Sequence, residues 1–285
     1  MRHAVLGGGG IGGLVAGALA HGGESVVLLL RPETRKAFPG RLQVVSNVLG
    51  EFEIGVGATS ILDEPADLVW VATKATQLEQ ALALAPPDAV GDATVVPLLN
   101  GVDHVELLRR RYRNVVAAAI RVESERTQGW MIRQTSPFLR VDLAGLPQVR
   151  DVLAGVGFQV TLRDDETTLL WEKLAFLAPL ALATSARDAA LGAVRHDPEF
   201  LGCRDEAVAV AQAEGADVDG GEVAALHAGA PELMRSSMQK DLDAGREPEL
   251  DAIAGPIIRR GARHGIATPH TESLADAVRF RASRN

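Results

Sequence analysis

Four consecutive glycines near the start of the chain constrain the fold more than any other feature. They follow residues 3–6 (HAVL), which are typical of a buried strand, and precede residues 11–20, which have the small-residue spacing of a helix. Two of these glycines, Gly7 and Gly9, together with Gly12, fit the pattern G-x-G-x-x-G. In this pattern the first makes a tight turn, the second admits a pyrophosphate and the third lets helix and strand pack closely. We predict a Rossmann-type βαβ unit that binds a dinucleotide through the turn; the alternative is a turn without a ligand. The turn consists of Gly7, Gly8, Gly9, Gly10, Ile11 and Gly12.

The end of the second predicted strand, residues 25–30 (SVVLLL), indicates which dinucleotide is bound. An acidic residue at this position would bind the ribose 2′-hydroxyl of NAD. This chain has Arg31 there, with Arg35 and Lys36 close behind. Cations suit the 2′-phosphate, so the sequence favours NADP(H) as the cofactor. Two points speak against this choice of cofactor. The alternative for Arg31 is a solvated loop charge, and the acidic Glu33 is close to it in the sequence.

Strands and helices continue to alternate up to about residue 163. We predict short strands or a hairpin over 41–59, and buried strands at 67–73 and 94–99, each followed by a helix. Three strands between 115 and 143, a helix near 147–155 and a strand at 158–163 complete this half.

Lys74 and Asn100 follow two successive strands of this half. Ligands of the doubly wound fold bind beyond the carboxyl ends of the strands. We therefore expect Lys74 at the cofactor's phosphates or adenosine side. We expect Asn100 near the nicotinamide ribose or the substrate, although Asn-Gly is also an ordinary turn.

The chain changes character at Asp164, after which Ala, Leu, Glu and Arg dominate and only helices are predicted. We therefore predict a Rossmann NADP-binding domain at 1–164 and an all-α substrate and catalytic domain at 165–285. The predicted helices cover 166–184, 198–214, 221–226, 231–242, 250–264 and 271–281.

Lys173 lies in an apolar helix (LLWEKLAFLAPLALA), where an unpaired ammonium is costly to bury. It either reaches solvent or pairs with a carboxylate, for which Glu249 is the candidate. Glu249 precedes the helix predicted at 250–264, and its alternative role is to complement the helix dipole. Ser236 and Ser237 either bind a carboxylate or hydrogen-bond the helix backbone.

Charge and cysteine content exclude several classes of protein. The 29 basic and 37 acidic residues give a net charge of −8, which disfavours nucleic acid and anionic membranes as partners. Cys203, the single cysteine, excludes an intramolecular disulfide and a cysteine-based zinc site, and we expect it to be half-buried in the core. The histidines lack metal-site spacing. The apolar stretch at 174–184 is about half the length of a membrane span, and we see no signal peptide. We expect a cytoplasmic protein without a metal.

Five ordered segments resemble the ketopantoate reductase (2-dehydropantoate 2-reductase) family. The resemblance covers nearly the whole chain and implies an N-terminal Rossmann domain, a helical domain of the 6-phosphogluconate dehydrogenase C-terminal type, and a cleft between them. It also implies NADPH-dependent reduction of a 2-oxo acid to a 2-hydroxy acid. The leading reaction is ketopantoate to pantoate in pantothenate biosynthesis. The segments are VLGGGGIGG with LLLR, VWVATKATQ, VVPLLNGV, LLWEKL, and SSMQKDLDAGREPELDAIAGPIIRRGARHGIATP.

The resemblance implies roles for the residues that match the family's motifs. Lys173 would be the general acid that protonates the forming alkoxide. Glu249 would bind the cofactor or hold the lysine, and Ser237 would bind the substrate, through its carboxylate. Asn100 would contact both cofactor and substrate. The 2′-phosphate end of the cofactor would be held by Arg31 and Lys74.

One departure from the family's pattern concerns the substrate. The asparagines that the family places after the active-site lysine are replaced by Leu177, Ala181 and, in an ungapped alignment, Leu191. A site built to hydrogen-bond a hydroxyl loses much of its rate without those partners, so we predict a 2-oxo acid with a more apolar tail.

Other functions and the oligomeric state are also part of the prediction. The alternatives are a reductase of another carbonyl or an imine, and an NADP-binding redox sensor without turnover. Retention of both Lys173 and Glu249 disfavours the sensor. We expect a homodimer formed through the helical half, because such surfaces are apolar.

Overall fold

A computed structural model describes residues 1–284, which separate into two units. Unit 1 comprises Met1–Leu99 and His104–Glu166, and unit 2 comprises Asn100–Asp103 and the chain from Thr167 onward. The strands are β1 (Arg2–Leu6), β2 (Ser25–Leu29), β3 (Arg41–Ser46), β4 (Gly50–Gly55), β5 (Gly57–Thr59), β6 (Leu68–Val71), β7 (Thr94–Pro97), β8 (Asn114–Val115), β9 (Ala118–Arg121), β10 (Ser124–Arg126), β11 (Met131–Gln134), β12 (Arg140–Ala144) and β13 (Gln159–Arg163). The α-helices are α1 (Gly10–His21), α2 (Pro32–Lys36), α3 (Leu78–Ala81), α4 (Pro87–Val90), α5 (Asp103–Arg109), α6 (Pro147–Gly155), α7 (Glu166–Arg187), α8 (Leu191–Val194), α9 (Pro198–Ala213), α10 (Gly220–Gly229), α11 (Ser237–Asp243), α12 (Leu250–His264) and α13 (Pro269–Ala282).

Unit 1 is built on a six-stranded parallel sheet in the order β5-β2-β1-β6-β7-β8. All four residues of β6 are buried, as expected for a parallel strand covered on both faces. The strand order reverses at β1, which lies between β2 and β6. Because dinucleotide-binding sheets have this order and bind ligands beyond the carboxyl ends at the reversal, the predicted Rossmann-type fold is confirmed.

A second sheet, in the order β10-β11-β3-β4, packs on α1. Its antiparallel pair β3 and β4 is the hairpin predicted within 41–59. The small residues of α1 allow this close approach. A Cβ added at Gly13 would lie 2.3 Å from Ile132 of β11, and one at Gly17 would lie 2.8 Å from Val44 of β3. The second sheet thus rests directly on the helix that follows the glycine turn.

The region 114–144 contains more strands than the sequence predicted. It holds five, β8 to β12, because β8 and β10 are too short to give a recognisable pattern. A third sheet, β13-β12-β9, joins β12 and β13 in parallel through α6, the helix predicted near 147–155. The helix predicted to follow the strand at 67–73 begins where expected, at Leu78, but it is not one continuous helix. Short turns and the helices α3 and α4 replace it, because Pro86 and Pro87 lack the N–H groups that a continuous helix needs.

The elements of unit 2 within the described chain are all helices, as the sequence predicted. Its longest helix, α7, has 22 residues and is apolar and long enough to cross a membrane on composition alone. However, 72% of its most apolar window is buried inside the protein, which is typical of a core helix. The apolar stretch predicted at 174–184 is therefore the middle of a longer buried helix.

The helix predicted over 231–242 is wrong in its first half, because α11 begins only at Ser237. The carbonyl groups of Glu232 and Met234 accept hydrogen bonds of 2.8 and 2.9 Å from the backbone of residues 191–192. Carbonyls used in this way are not available to a helix. Ser236 then caps α11 by accepting a hydrogen bond from a backbone N–H of its first turn.

Cys203 of α9 is fully buried, so the half-buried position expected for it is wrong. Burial raises the pKa of its thiol to about 12, with a hydrogen bond from Thr271 opposing the shift. A thiol with this pKa stays protonated at neutral pH and behaves as an apolar core residue.

Glu206 of α9 caps α13 from outside that helix. Its carboxylate accepts hydrogen bonds from the backbone N–H groups of His270 and Thr271, both at 2.8 Å, and from the Thr271 hydroxyl at 2.6 Å. Glu206→Ala should lower the free energy of unfolding by about 2–4 kcal/mol, because buried helix N–H groups lose their acceptor. Urea denaturation followed by circular dichroism measures this loss.

Two variants control for the effect at Glu206. Glu206→Gln retains one carbonyl acceptor, so it should lower the free energy of unfolding by less than Glu206→Ala does. Asp205→Ala removes an exposed carboxylate from the same helix and should cost less than about 1 kcal/mol. If Glu206→Ala and Asp205→Ala lowered the free energy of unfolding equally, Glu206 would not act as the cap of α13.

Candidate active site

The glycine turn connects β1 to α1 at the point where the strand order reverses. Gly7 has φ +103°, a left-handed conformation that side chains rarely adopt. A Cβ at Gly12 would lie 1.9 Å from the carbonyl oxygen of Gly7, so the helix can approach the turn only with glycine there. Gly9 is the N-cap of α1, and no heavy atom lies within 4 Å of the place its Cβ would take. Open space over a helix N-terminus fits the pyrophosphate of a dinucleotide.

Residues of β10 and the turn after it line the glycine turn, which the sequence did not predict. The Ser124 hydroxyl donates a hydrogen bond of 2.9 Å to the carbonyl oxygen of Gly10. A Cβ at Gly8 would lie 2.8 Å from the ring of Trp130, a residue in a turn rather than in the predicted strand. No motif marks these residues, because only the pairing of β10 with β11 brings them here.

Two residues that follow β6, Thr73 and Lys74, come next along the chain, and Thr73 lies against the glycine turn. The Thr73 methyl group would lie 3.1 Å from a Cβ at Gly7, and its buried hydroxyl has no hydrogen-bond partner within residues 1–284. A buried unpaired hydroxyl beside the turn fits a polar ligand group. Lys74 follows it, half-buried, and precedes a 3₁₀ turn at Ala75–Gln77. Sequence reasoning identified Lys74 but missed Thr73.

Arg31 lies beyond the carboxyl end of β2, where it is exposed and precedes α2. Of the two cations behind it, Arg35 is tied to the sheet edge by a hydrogen bond of 3.0 Å from its Nε to the carbonyl oxygen of Ala58. Lys36 is exposed at the end of α2. Arg31 is therefore the cation of this group that lies next to the strand end.

Asn100 belongs to unit 2, where its amide Nδ2 donates a hydrogen bond to Oε2 of Glu249 at 3.4 Å. Glu249 precedes α12 and is only 7% exposed. The next residue, Gly101, packs so closely that a Cβ there would lie 2.3 Å from the carbonyl oxygen of Ala252. Two residues that the sequence singled out 149 positions apart are thus in contact.

Asp103 fastens the Asn100 loop to α12. Its carboxylate accepts hydrogen bonds from Arg259 at 2.7 Å and from Arg260 at 2.6 Å. Burial would raise the pKa of Asp103, but the hydrogen bonds from Arg260 and Arg259 hold it below its ordinary value. The ion pairs therefore persist at neutral pH and keep Asn100 positioned against Glu249.

Two further predicted residues lie on helices of unit 2. Lys173 is half-buried on α7. Ser237 is the exposed first residue of α11, while the neighbouring Ser236 is buried and shares a hydrogen bond of 2.9 Å with Thr184. Ser236 is thus used inside the unit, and Ser237 is the serine that a solute can reach.

The three residues predicted to stand where the family has asparagines are all apolar. Leu177 is half-buried on α7, four residues after Lys173. Ala181 and Leu191 are fully buried. These three positions therefore present no polar group to a ligand.

Comparisons with known proteins agree over both halves of the chain. The family model described as ketopantoate reductase PanE/ApbA matches residues 3–144, and the model of the family's C-terminal region matches residues 166–282. A 2-dehydropantoate 2-reductase of Mycobacterium tuberculosis is 34% identical over 221 residues, covering 74% of each chain. One from Halobacterium salinarum is 27% identical and covers 98% of each chain.

Solved structures share the fold over the full length. A PanE/ApbA family ketopantoate reductase from Ralstonia eutropha has a TM-score of 0.90 at 26% identity, covering 100% of this chain and 99% of its own. A D-mandelate dehydrogenase solved with NADH and anilino(oxo)acetate has a TM-score of 0.88 at 22% identity, with the same coverage. The chain belongs to the ketopantoate reductase family, whose members are oxidoreductases.

Proposed function

We propose that this protein catalyses NADPH-dependent reduction of a 2-oxo acid to a 2-hydroxy acid, with ketopantoate as the first candidate substrate and pantothenate biosynthesis as its context. The hydrogen bond between Asn100 and Glu249 carries the proposal, because it brings into contact two residues to which the family resemblance assigns cofactor binding. We propose domains 1–164 and 165–285, supported by family models that match 3–144 and 166–282.

The dinucleotide is proposed to bind at the glycine turn, where Gly9 offers open space and the N-terminus of α1 favours the pyrophosphate. Arg31 and Lys74 would hold its 2′-phosphate end, and Asn100 and Glu249 would bind nearer the nicotinamide. When bound, the cofactor supplies the hydride. Arginine at the end of β2, where an acid would suit NAD, supports NADPH as the reductant.

Lys173 is proposed to donate a proton to the substrate's carbonyl oxygen as that oxygen gains negative charge. An ammonium near this oxygen stabilises charge that develops only in the transition state, which raises kcat. Glu249 is proposed to hold the cofactor or the lysine, and Asn100 to orient the substrate. Ser237, which is exposed at the start of α11, is proposed to bind the substrate carboxylate.

A second candidate function is reduction of a 2-oxo acid with a more apolar tail. The specific observation that favours it is the apolar set at Leu177, Ala181 and Leu191. These residues would leave the hydroxyl of ketopantoate without hydrogen-bond partners on this side of the site.

Initial rates with two matched substrates test the reaction and choose between these candidates. 3,3-Dimethyl-2-oxobutanoate has the carbon skeleton of ketopantoate but lacks its hydroxyl. We expect oxidation of NADPH with both acids, and a kcat/KM for the deoxy acid at least equal to that for ketopantoate would favour the second candidate. Sites built to bind a hydroxyl discriminate by about 10⁴–10⁵-fold, so a large preference for ketopantoate would refute the apolar candidate. No turnover with any 2-oxo acid and either NADPH or NADH would refute the proposed reaction.

The proposal includes a homodimer in the cytoplasm. Three large apolar side chains of unit 2, Leu226, Leu233 and Phe280, are exposed and would be candidates for burial by association through the helical half. The proposed small-molecule partner is the 2-oxo acid.

A further inference from the structure

Arg126 lies on the face of the second sheet that is turned toward the glycine turn. It pairs across strands with Ile132, whose side chain contacts α1 at Gly13. Cross-strand partners point to the same face, as do residues two apart along one strand. Ser124, two residues before Arg126, donates its hydroxyl hydrogen bond to Gly10 on that same face.

Trp130 holds the Arg126 guanidinium in place. The guanidinium carbon lies 4.2 Å from the centre of the Trp130 ring, a cation–π contact. The ring is itself fixed, because its Nε1 donates a hydrogen bond of 3.1 Å to the carbonyl oxygen of Ala37. The Phe38 ring also packs against it edge-on, with 4.6 Å between the ring centres. Stacking on one face of the guanidinium leaves its N–H edges free to bind an anion.

The Trp130 ring that stacks on Arg126 and the side chain of Leu30, the residue before Arg31, both lie 2.8 Å from the place a Cβ at Gly8 would take, so Arg126 and Arg31 approach the glycine turn from neighbouring segments. Burial lowers the pKa of Arg126, and the positive charge of Arg31 lowers it further. Among residues 1–284 no carboxylate forms an ion pair with either guanidinium. Two neighbouring cations without a counter-charge repel each other, and a dianion bound between them would remove that cost.

We propose that Arg126 and Arg31 together bind the 2′-phosphate of the cofactor's adenosine, so that Arg126 is a specificity-determining residue for NADPH. This inference rests on the proposed function only for the choice of dinucleotide. The second sheet then contributes a phosphate-binding side chain to a site whose other residues follow strands of the main sheet. A phosphate monoester accepts bidentate hydrogen bonds from two guanidinium groups, whereas the 2′-hydroxyl of NADH offers no charge.

Binding measured without turnover tests the role of Arg126. Isothermal titration calorimetry with adenosine 2′,5′-bisphosphate, AMP, NADPH and NADH would be applied to the wild type, Arg126→Gln and Arg126→Lys. Arg126→Gln should lower the affinity for adenosine 2′,5′-bisphosphate and for NADPH by about 10- to 100-fold, which is the usual contribution of a charge-assisted hydrogen bond. The affinities for AMP and NADH, which lack the 2′-phosphate, should not change. Arg126→Lys should recover part of the affinity, because it keeps the charge without the bidentate geometry.

Arg133→Gln is the matched control, because Arg133 is exposed on β11 and pairs with Glu125, so it points to the opposite face of the same sheet. It removes the same charge and should leave the ratio of NADPH to NADH affinity unchanged. Thermal melting of each variant verifies folding.

Two results would overturn the role of Arg126. Equal weakening of NADPH and NADH in Arg126→Gln would assign the guanidinium to the adenine ring instead. An unchanged NADPH affinity would exclude it from the site. Neither result depends on turnover, so they are distinguishable from failure of the proposed reaction, which appears as absence of 2-oxo acid reduction by the wild type.

Discussion

Lys173→Ala is expected to lower kcat for 2-oxo acid reduction by about 10²–10⁴-fold, the range typical of a lost general acid. The ammonium of Lys173 is proposed to protonate the oxygen of the substrate, and alanine supplies neither the proton nor the charge. Binding of NADPH, measured by its fluorescence, should change little. Steady-state kinetics at saturating NADPH would separate kcat from KM, and a small primary amine added to the variant should restore part of the rate.

Lys240→Ala is the control for Lys173→Ala. Lys240 is exposed on α11 of the same unit, and its removal should leave kcat unchanged. If Lys173→Ala kept the wild-type kcat, Lys173 would not be the proton donor. Loss of NADPH binding in Lys173→Ala without loss of kcat at saturation would assign the lysine to the cofactor instead.

Gly12→Ala and Gly9→Ala are both expected to weaken dinucleotide binding, but only Gly12→Ala should lower the stability of the fold. A methyl group at Gly12 would lie 1.9 Å from the Gly7 carbonyl oxygen, so backbone must move and the free energy of unfolding should fall by about 1–3 kcal/mol or more. The displaced turn should also lose the dinucleotide. A methyl group at Gly9 meets no protein atom within 4 Å, so Gly9→Ala should fold normally but weaken dinucleotide binding by filling the space of the pyrophosphate.

Thermal melting and titration with NADPH measure both effects in the glycine variants. If Gly9→Ala bound NADPH as tightly as the wild type, the open space over the turn would not be the pyrophosphate site. If Gly12→Ala melted at the wild-type temperature, the close packing of α1 on the turn would not contribute to stability.

The sequence predicted the elements that have a local pattern. The βαβ start was recognisable because a strand, a glycine-rich turn and a helix follow one another within 30 residues. α12 matches its predicted range, Leu250–His264, because its apolar residues recur at helical spacing over more than three turns. α11 was predicted too long, because backbone groups of residues 191–192 bind the carbonyls before Ser237, and no local pattern shows this.

Most of the candidate site was named from motifs, but its contacts were not. The resemblance to ketopantoate reductases named Lys173, Glu249, Asn100 and Ser237, and the match of both family models supports that family. Arg126 was missed because it lies in a three-residue strand without a motif.

The sequence by itself determined the order of elements and the character of the two halves, because periodicity and glycine placement are properties of neighbouring residues. Only the tertiary structure decided that Asn100 bonds Glu249, that Glu206 caps α13, and that Trp130 packs beside Gly8 of the glycine turn. Each of these pairs joins residues at least 60 positions apart. Such contacts depend on how sheets and helices pack, and no pattern along the chain contains that information.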